Sequence, residues 1–250
     1  MIIHIFTTFP NIFQSPFSES IIKRAIDNKI IDIQIHNLRN YTTDRHKTTD
    51  DYPYGGGPGM IMKPEPIFAA IESLQAGQIS VKAPVILLSP QGRQFNQTIA
   101  NELSVEPELI FICGHYEGVD ERVKTHLATD DISIGDYVLT GGEMAAMIVI
   151  DAVSRLIPGV LGADNSADQD SFSEDLLEYP QYTRPAVYRG WGIPEIIKSG
   201  NHKKIESWRR QQSILRTLKN RPDLLYKAKL KEEDWTYLKY INELDKDSKP

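Results

Sequence analysis

Three stretches of the chain combine glycine with polar residues in a way that suits capture of a flat, polar small molecule. They are Leu87-Leu88-Ser89-Pro90-Gln91-Gly92-Arg93, Ile112-Cys113-Gly114-His115-Tyr116-Glu117-Gly118-Val119-Asp120-Glu121-Arg122, and Ile134-Gly135-Asp136-Tyr137-Val138-Leu139-Thr140-Gly141-Gly142-Glu143. Each leaves an apolar, β-branched run and breaks into glycine, so each reads as a buried strand delivering a loop at its carboxyl end. In an open α/β sheet that edge is where ligands bind. Glycine lacks a Cβ, so amides and carbonyls can come close to a ligand there. One such loop alone reads as a tight turn; three in succession favour a site.

The loops lack the features that hold phosphates. None carries Gly-Lys-Ser/Thr, and no Gly-x-Gly-x-x-Gly opens a helix after the first apolar run. Even the run Gly55-Gly56-Gly57-Pro58-Gly59-Met60 leads into Ile61-Met62-Lys63-Pro64. A cofactor with little or no phosphate is therefore favoured, and S-adenosylmethionine is the commonest nucleoside of that kind. Metal chemistry has weaker support. His4, His36, His46, His115, His126 and His202 are too dispersed for a zinc site. Cys113 is the only cysteine, which excludes an intrachain disulfide, and its apolar surroundings predict a buried, inert thiol.

Stepping outward along the chain, apolar runs over 2–6, 31–35, 85–89, 109–113 and 132–139 alternate with helical patterns over 20–28, 66–74, 96–103 and 143–157. This predicts an α/β domain over 1–160, a parallel sheet with crossover helices. Between Leu156 and Thr183 there is no Lys or Arg, while Asp164, Asp168, Asp170, Glu174, Asp175 and Glu178 crowd a Ser-rich stretch. Residues 161–182 are therefore expected to form a flexible acidic linker. Beyond it, patterns over 194–200, 203–219, 222–230 and 232–244 predict a small all-α C-terminal domain over 183–250.

Charge is segregated in the same way. The formal net charge is −6, yet Lys198 to Lys231 contains eleven Lys and Arg against Glu206 and Asp223, a net of +9 that leaves −15 elsewhere. A basic face of this kind can neutralise phosphates, although a charge run is most often a solvated helix face. Trp208 and Tyr226 are interleaved with the charges.

Several longer motifs carry a family resemblance. Asn40-Tyr41-Thr42-Thr43-Asp44-Arg45-His46-Lys47, the stretch from Asp50 through Gly55-Gly56-Gly57-Pro58-Gly59-Met60, the Gly114 loop, the 134–143 loop, Pro158-Gly159-Val160-Leu161-Gly162 and Tyr182-Thr183-Arg184-Pro185 stand in the order seen in one family. From Met1 to about Leu230 the chain resembles the bacterial tRNA (guanine-N1-)-methyltransferases that act on guanosine 37. Tyr52 stands where many relatives have a basic residue, and His115 where many have arginine.

The resemblance implies a SPOUT fold whose α/β domain is tied in a trefoil knot, a topology that connectivity rules alone would argue against. It implies S-adenosylmethionine held bent in that knot by Gly114, Ile134, Gly135, Asp136, Tyr137, Val138 and Leu139, with Leu88, Ser89, Pro90, Gly141 and Gly142 lining the pocket. Tyr116 and Glu117 belong to the same rim, Glu117 having an alternative as a helix-start acid. It makes Asp170 the base that takes the N1 proton and Arg155 the cation that steadies charge on the purine. Without it, Asp170 is one of six linker acids and Arg155 a helix C-terminal charge. It further implies tRNA contacts from the basic helices, here Lys203, Arg209, Arg210, Arg216 and Lys219. The guanosine preceding guanosine 37 belongs to what the family recognises. A homodimer with sites at the subunit interface and a requirement for Mg2+, for which no ligand shell can be nominated, complete the implied picture.

Two other classes compete. An inactive RNA-binding module would keep the basic helices but could lose Asp170 and Arg155, and both are present. A SPOUT enzyme acting on a different nucleotide or on the ribose would keep the knot loops but has no need of the 182–185 segment or the helical tail. The amino terminus has no basic stretch and no small-residue cleavage pattern, and the longest apolar stretch, 144–150, is too short to span a bilayer, so a cytoplasmic location is expected.

Overall fold

The computed structural model describes residues 1–77, 83–162 and 170–247. The chain divides into two compact units, Met1–Asp164 and Asn165–Pro250.

The first unit is built on β1 (Ile2–Thr7), α1 (Gln14–Phe17), α2 (Ser20–Asp27), β2 (Asp32–Asn37), β3 (Asp50–Asp51), β4 (Ile61–Met62), α3 (Pro64–Gly77), β5 (Val85–Gln94), α4 (Gln97–Ser104), β6 (Glu108–Cys113), α5 (Glu121–His126), β7 (Asp130–Ser133) and α6 (Glu143–Ser154). Five strands form one sheet in the order β2-β1-β6-β5-β7, and every pairing in it is parallel. The central strand β6 is buried along its whole length, which explains why every residue after Glu108 is apolar: a parallel strand covered on both faces has no polar side to show. Successive residues alternate between two cores. Leu109, Phe111 and Cys113 face Ile99 and Leu103 of α4 and Val149 and Val153 of α6. Ile110 and Ile112 face Ile67 and Ile71 of α3. Each such aliphatic side chain contributes roughly 1.5–3 kcal/mol by leaving water.

Two expectations about the strands need correction. The last strand does not run to residue 139 but ends at Ser133. The Ser133 hydroxyl turns onto Gly135, whose φ of +147° takes the chain out of extended backbone, so the β-branched 134–139 run is a loop. Conversely, the polar residues after Leu88 lie within β5: its pairing with β7 jumps from Leu88 to Arg93, both opposite Ile132, so the intervening residues bulge out toward the sheet edge.

The second unit contains β8 (Val187–Tyr188), β9 (Trp191–Gly192), α7 (Glu195–Lys198), α8 (His202–Asn220), α9 (Pro222–Leu225) and α10 (Glu232–Asp247). It is not all-α, because β8 and β9 form an antiparallel hairpin. Asn201 caps α8 by accepting from the Lys204 amide, and Leu176, Ile214 and Leu238 make a small core. The stretch expected to be a flexible linker is, from Asp170 onward, packed on α8. Leu176 is buried, the Leu177 amide donates to Thr217 Oγ1 at 2.8 Å, and Glu174 pairs with Arg210. Of the acids that made the stretch look solvated, Glu174 finds its counter-charge on the basic helix. Residues 163–169, which complete the expected linker, lie outside the described residues.

At the β2 edge a polar chain crosses the first unit. Glu108 Oε1 lies 2.9 Å from His4 Nε2, His4 Nδ1 lies 3.0 Å from His36 Nε2, and Tyr41 OH lies 3.4 Å from His36 Nδ1. Burial, reinforced by the charge of His4, pulls the His36 imidazole down to about 4. The unfolded chain therefore binds this proton more readily, so the stability that a neutral His36 supplies is whole above pH 6.5 and is lost as pH falls towards 4. We predict that between pH 7 and 4.5 the wild type loses about 1–2 kcal/mol more than His36→Gln, the figure being reduced for solvent at a half-buried ring. Urea midpoints at the two pH values check this; equal losses would refute it.

Candidate functional site

The three glycine loops meet at the carboxyl edge of the sheet around one cavity of about 320 Å3. Leu88, Ser89 and Pro90 from the β5 bulge, Gly114, Tyr116 and Glu117 after β6, and Ile134, Gly135, Tyr137, Val138, Leu139, Gly141 and Gly142 after β7 all line it. Asp136, also expected there, is exposed and does not. Gln91, His115 and Glu121, which belong to the same stretches but carry no individually expected role, line the same space, and so does Lys124, which sequence reasoning missed. Lys124 is signalled only by its position one turn after Glu121 on α5, a spacing that first reads as an ordinary helix pair.

Local geometry explains the glycines. His115 and Gly141 form an antiparallel bridge, and the Gly142 amide donates to the Gly114 carbonyl at 2.7 Å. A Cβ on Gly142 would lie 2.9 Å from Cys113 Cα and 3.1 Å from the Gly114 nitrogen, so glycine is required for the two loops to meet. Gly114 is different: a Cβ there would touch Val119 and Leu88 at 3.6 and 3.7 Å, ordinary contacts. Glu117 is no helix-start acid; its amide donates to the Met60 carbonyl, and Asp120 caps α5.

Behind the cavity Glu143, the first residue of α6, is buried. Thr7 Oγ1 donates to Glu143 Oε1 at 2.7 Å, and His115 Nδ1 lies 3.6 Å from Oε2, outside hydrogen-bond reach but close enough for charge attraction. The site thus has a carboxylate at a helix N-terminus, where the peptide dipoles favour negative charge. Burial, with Glu143 adding to it, pushes the Cys113 thiol well up, which fits an inert cysteine. Among the described residues no three His, Cys, Asp or Glu gather as a metal site.

The arrangement can hold a neutral or weakly charged nucleoside-like molecule by its main chain. Comparison with known proteins sharpens this. The profile of the family described as tRNA (Guanine-1)-methyltransferase TrmD matches residues 1–227. The chain belongs to that family. It is 61% identical over 234 residues, 94% of each chain, to a protein of Dehalococcoides mccartyi named tRNA (guanine-N(1)-)-methyltransferase. Proteins with the same name from Geotalea uraniireducens and Moorella thermoacetica are 56% identical over 95% of each chain and 52% identical over the full length of both.

The two residues expected to act on the substrate of this TrmD-family chain lie in different units. Arg155 is the exposed C-cap of α6, following Ser154, whose buried hydroxyl finds no hydrogen-bond partner among the described residues. Asp170 opens a tight turn: its carbonyl accepts from the Ser173 amide and hydroxyl, and the Glu178 amide returns to Ser171 Oγ. Asp170 also lines a second cavity, of about 240 Å3, with Tyr179, Glu206, Arg209 and Arg210.

The five cations expected to meet RNA are not equivalent. Lys203 and Lys219 are exposed. Arg209 stacks 4.7 Å over Tyr179, and Arg216 donates to the Glu178 carbonyl. Arg210 pairs with Glu174 and Asp234 and donates to the Lys229 carbonyl, so its charge is committed to holding the unit together.

Gly142→Ala is predicted to destabilise the first unit by about 1–3 kcal/mol, the range for forcing a methyl into a filled space, while Gly114→Ala should change stability far less. Denaturant titration of both variants separates the cases. Equal midpoints would mean that the loops can part without cost.

Proposed function

We propose that this protein transfers the methyl group of S-adenosyl-L-methionine to N1 of guanosine 37 in tRNA, reading the preceding guanosine as part of its target. The observation that carries the reading is the glycine-built cavity at the carboxyl edge of the sheet, whose loops carry no Gly-Lys-Ser/Thr, in a chain of this family. Gly114, the 134–139 loop, Gly141 and Gly142 would hold the cofactor, with Ser89, Tyr116 and Glu117 at the rim. The bent pose would follow from a chain threaded as a SPOUT trefoil knot. Bound there, the cofactor supplies a methyl on a sulfonium sulfur, a leaving group that departs uncharged.

The chain's own residues do the rest. N1 of guanine carries a proton at neutral pH, so the Asp170 carboxylate accepts it as the new N–C bond forms. Negative charge then builds toward the purine oxygen, where the Arg155 guanidinium stabilises it. Lys203, Arg209, Arg216 and Lys219 supply phosphate contacts along α8, and Arg210 keeps the Asp170-bearing segment on that helix. No step is assigned to Mg2+. The proposed site of action is the cytoplasm, where tRNA is found. No helix among the described residues is long and apolar enough to cross a membrane.

Incubation with labelled S-adenosylmethionine and unmodified tRNA carrying G36-G37, followed by mapping of the label, tests the assignment. Label at N1 of position 37 is expected; label at another base or on ribose would overturn it. In Asp170→Asn, tRNA and cofactor affinities should persist while the single-turnover rate falls more than tenfold, a barrier increase above about 1.4 kcal/mol. A smaller change would mean that another group takes the proton.

We further propose a homodimer in which Asp170 of one chain serves the cofactor pocket of the other. Met144 and Ile148, one turn apart on α6, are exposed, as are Tyr137 and Val138 in the loop before that helix, and these are the apolar side chains that a second copy would cover. Mixing inactive Gly114→Val with inactive Asp170→Ala under subunit exchange should then recover roughly a quarter of wild-type activity, since half the dimers would each hold one intact site. Recovery of none, with heterodimers proven by mass spectrometry, would place each site within a single chain.

A further inference from the structure

From Pro180 to Pro194 the chain carries three aromatics, Tyr182, Tyr188 and Trp191, two arginines, Arg184 and Arg189, and no acid. All three rings are exposed, Trp191 by 70%. A core or an ordinary solvated turn would explain neither the composition nor the exposure. The hairpin of β8 and β9 organises it. Tyr188 and Trp191 stand directly opposite each other, with ring centroids 6.4 Å apart, and the two-residue turn Arg189-Gly190 has φ of +51° and +85°. Such a turn ordinarily takes Asn-Gly or Gly-Gly, because both central residues are left-handed. Here an arginine occupies the unfavourable position, and its guanidinium lies 5.3 Å over the Tyr188 ring.

We infer that this hairpin is a stacking platform for an unpaired nucleobase of the RNA substrate, Trp191 offering its face and Arg189 on Tyr188 extending the surface. The inference rests on the reading that the substrate is tRNA. The chemistry favours an unpaired base over other occupants. Exposed π-faces flanked by guanidinium groups are how proteins hold single-stranded bases, and stacking needs the base face that a duplex hides. The absence of any acid from 180 to 194 matches a phosphate backbone. A second copy of this chain fits less well: a two-fold contact through the hairpin would set Arg184 and Arg189 near their own counterparts.

Binding of unmodified tRNA to the full-length protein, followed by tryptophan fluorescence and by filter binding, tests the platform. In Trp191→Ala the affinity should fall about 5- to 150-fold, the range for losing one stacked base, with the slope of log affinity against log salt unchanged because no phosphate contact is removed. Trp191→Phe should restore most of the loss. The quenching that tRNA causes should be smaller in Trp191→Ala than in the wild type by the share of Trp191, because Trp208 and Trp235 are present in both, and an RNA duplex of equal length should quench the two proteins alike. Unchanged affinity in folded Trp191→Ala, while the wild type still methylates tRNA, would overturn the platform alone. A fall in affinity accompanied by dissociation of the dimer in sedimentation would reassign the hairpin to a subunit contact. Failure of the wild type to bind tRNA at all would remove the reading beneath it.

Discussion

The close approach of Gly142 to the backbone of Cys113 and Gly114 is the constraint on which the carboxyl edge of the sheet depends. With the Gly142 amide bound to the Gly114 carbonyl, the loop after β7 is pinned against the loop after β6. That contact starts α6 at Glu143 and sets its carboxylate between Thr7 and His115. The cavity exists because two loops that could have repelled each other sterically have no Cβ at their crossing. Its lining consequently brings main chain and the glycines of both loops to the same space as the side chains of His115, Tyr116 and Tyr137, suited to a neutral or weakly charged nucleoside-like ligand.

The second unit solves a different problem with opposite means. Its helices carry more cations than a small core can tolerate, and the acidic segment that precedes them answers part of that charge. Arg210, held by Glu174 and Asp234, draws the turn bearing Asp170 onto α8. A residue proposed to take a proton from RNA is thus mounted on the helix proposed to grip RNA. The acids do not merely dilute the charge; they decide which arginines remain available and which become structural.

Much of this was legible in the residues. The apolar runs of β1, β5 and β6 announced a parallel sheet, and the glycine loops after β5, β6 and β7 announced the cavity. What could not be read was which glycine does which task. Gly114 and Gly142 look alike in sequence, yet a methyl fits at one and collides at the other, a distinction that depends on a neighbour many residues distant. The β-branched run 134–139 matched a strand because its apolar side chains serve a loop and an exposed surface instead of the sheet. The acidic stretch matched a linker because its partners, Arg210 and Thr217, lie on a helix far along the chain. The exposed hairpin left the weakest trace: two strands of two residues each are too short for any periodicity to register.

The strand order carries a consequence for how the protein is made. Because β6 stands between β1 and β5, neither β5 nor the β1-β2 pair has its inner neighbour until residues 108–113 have left the ribosome. Everything synthesised earlier, close to half of the chain, must wait with apolar strand edges unpaired. Long-range parallel pairing of this sort is slow and exposes the nascent chain to association with others. The central strand is therefore also a timer: the sheet can close only after its middle arrives.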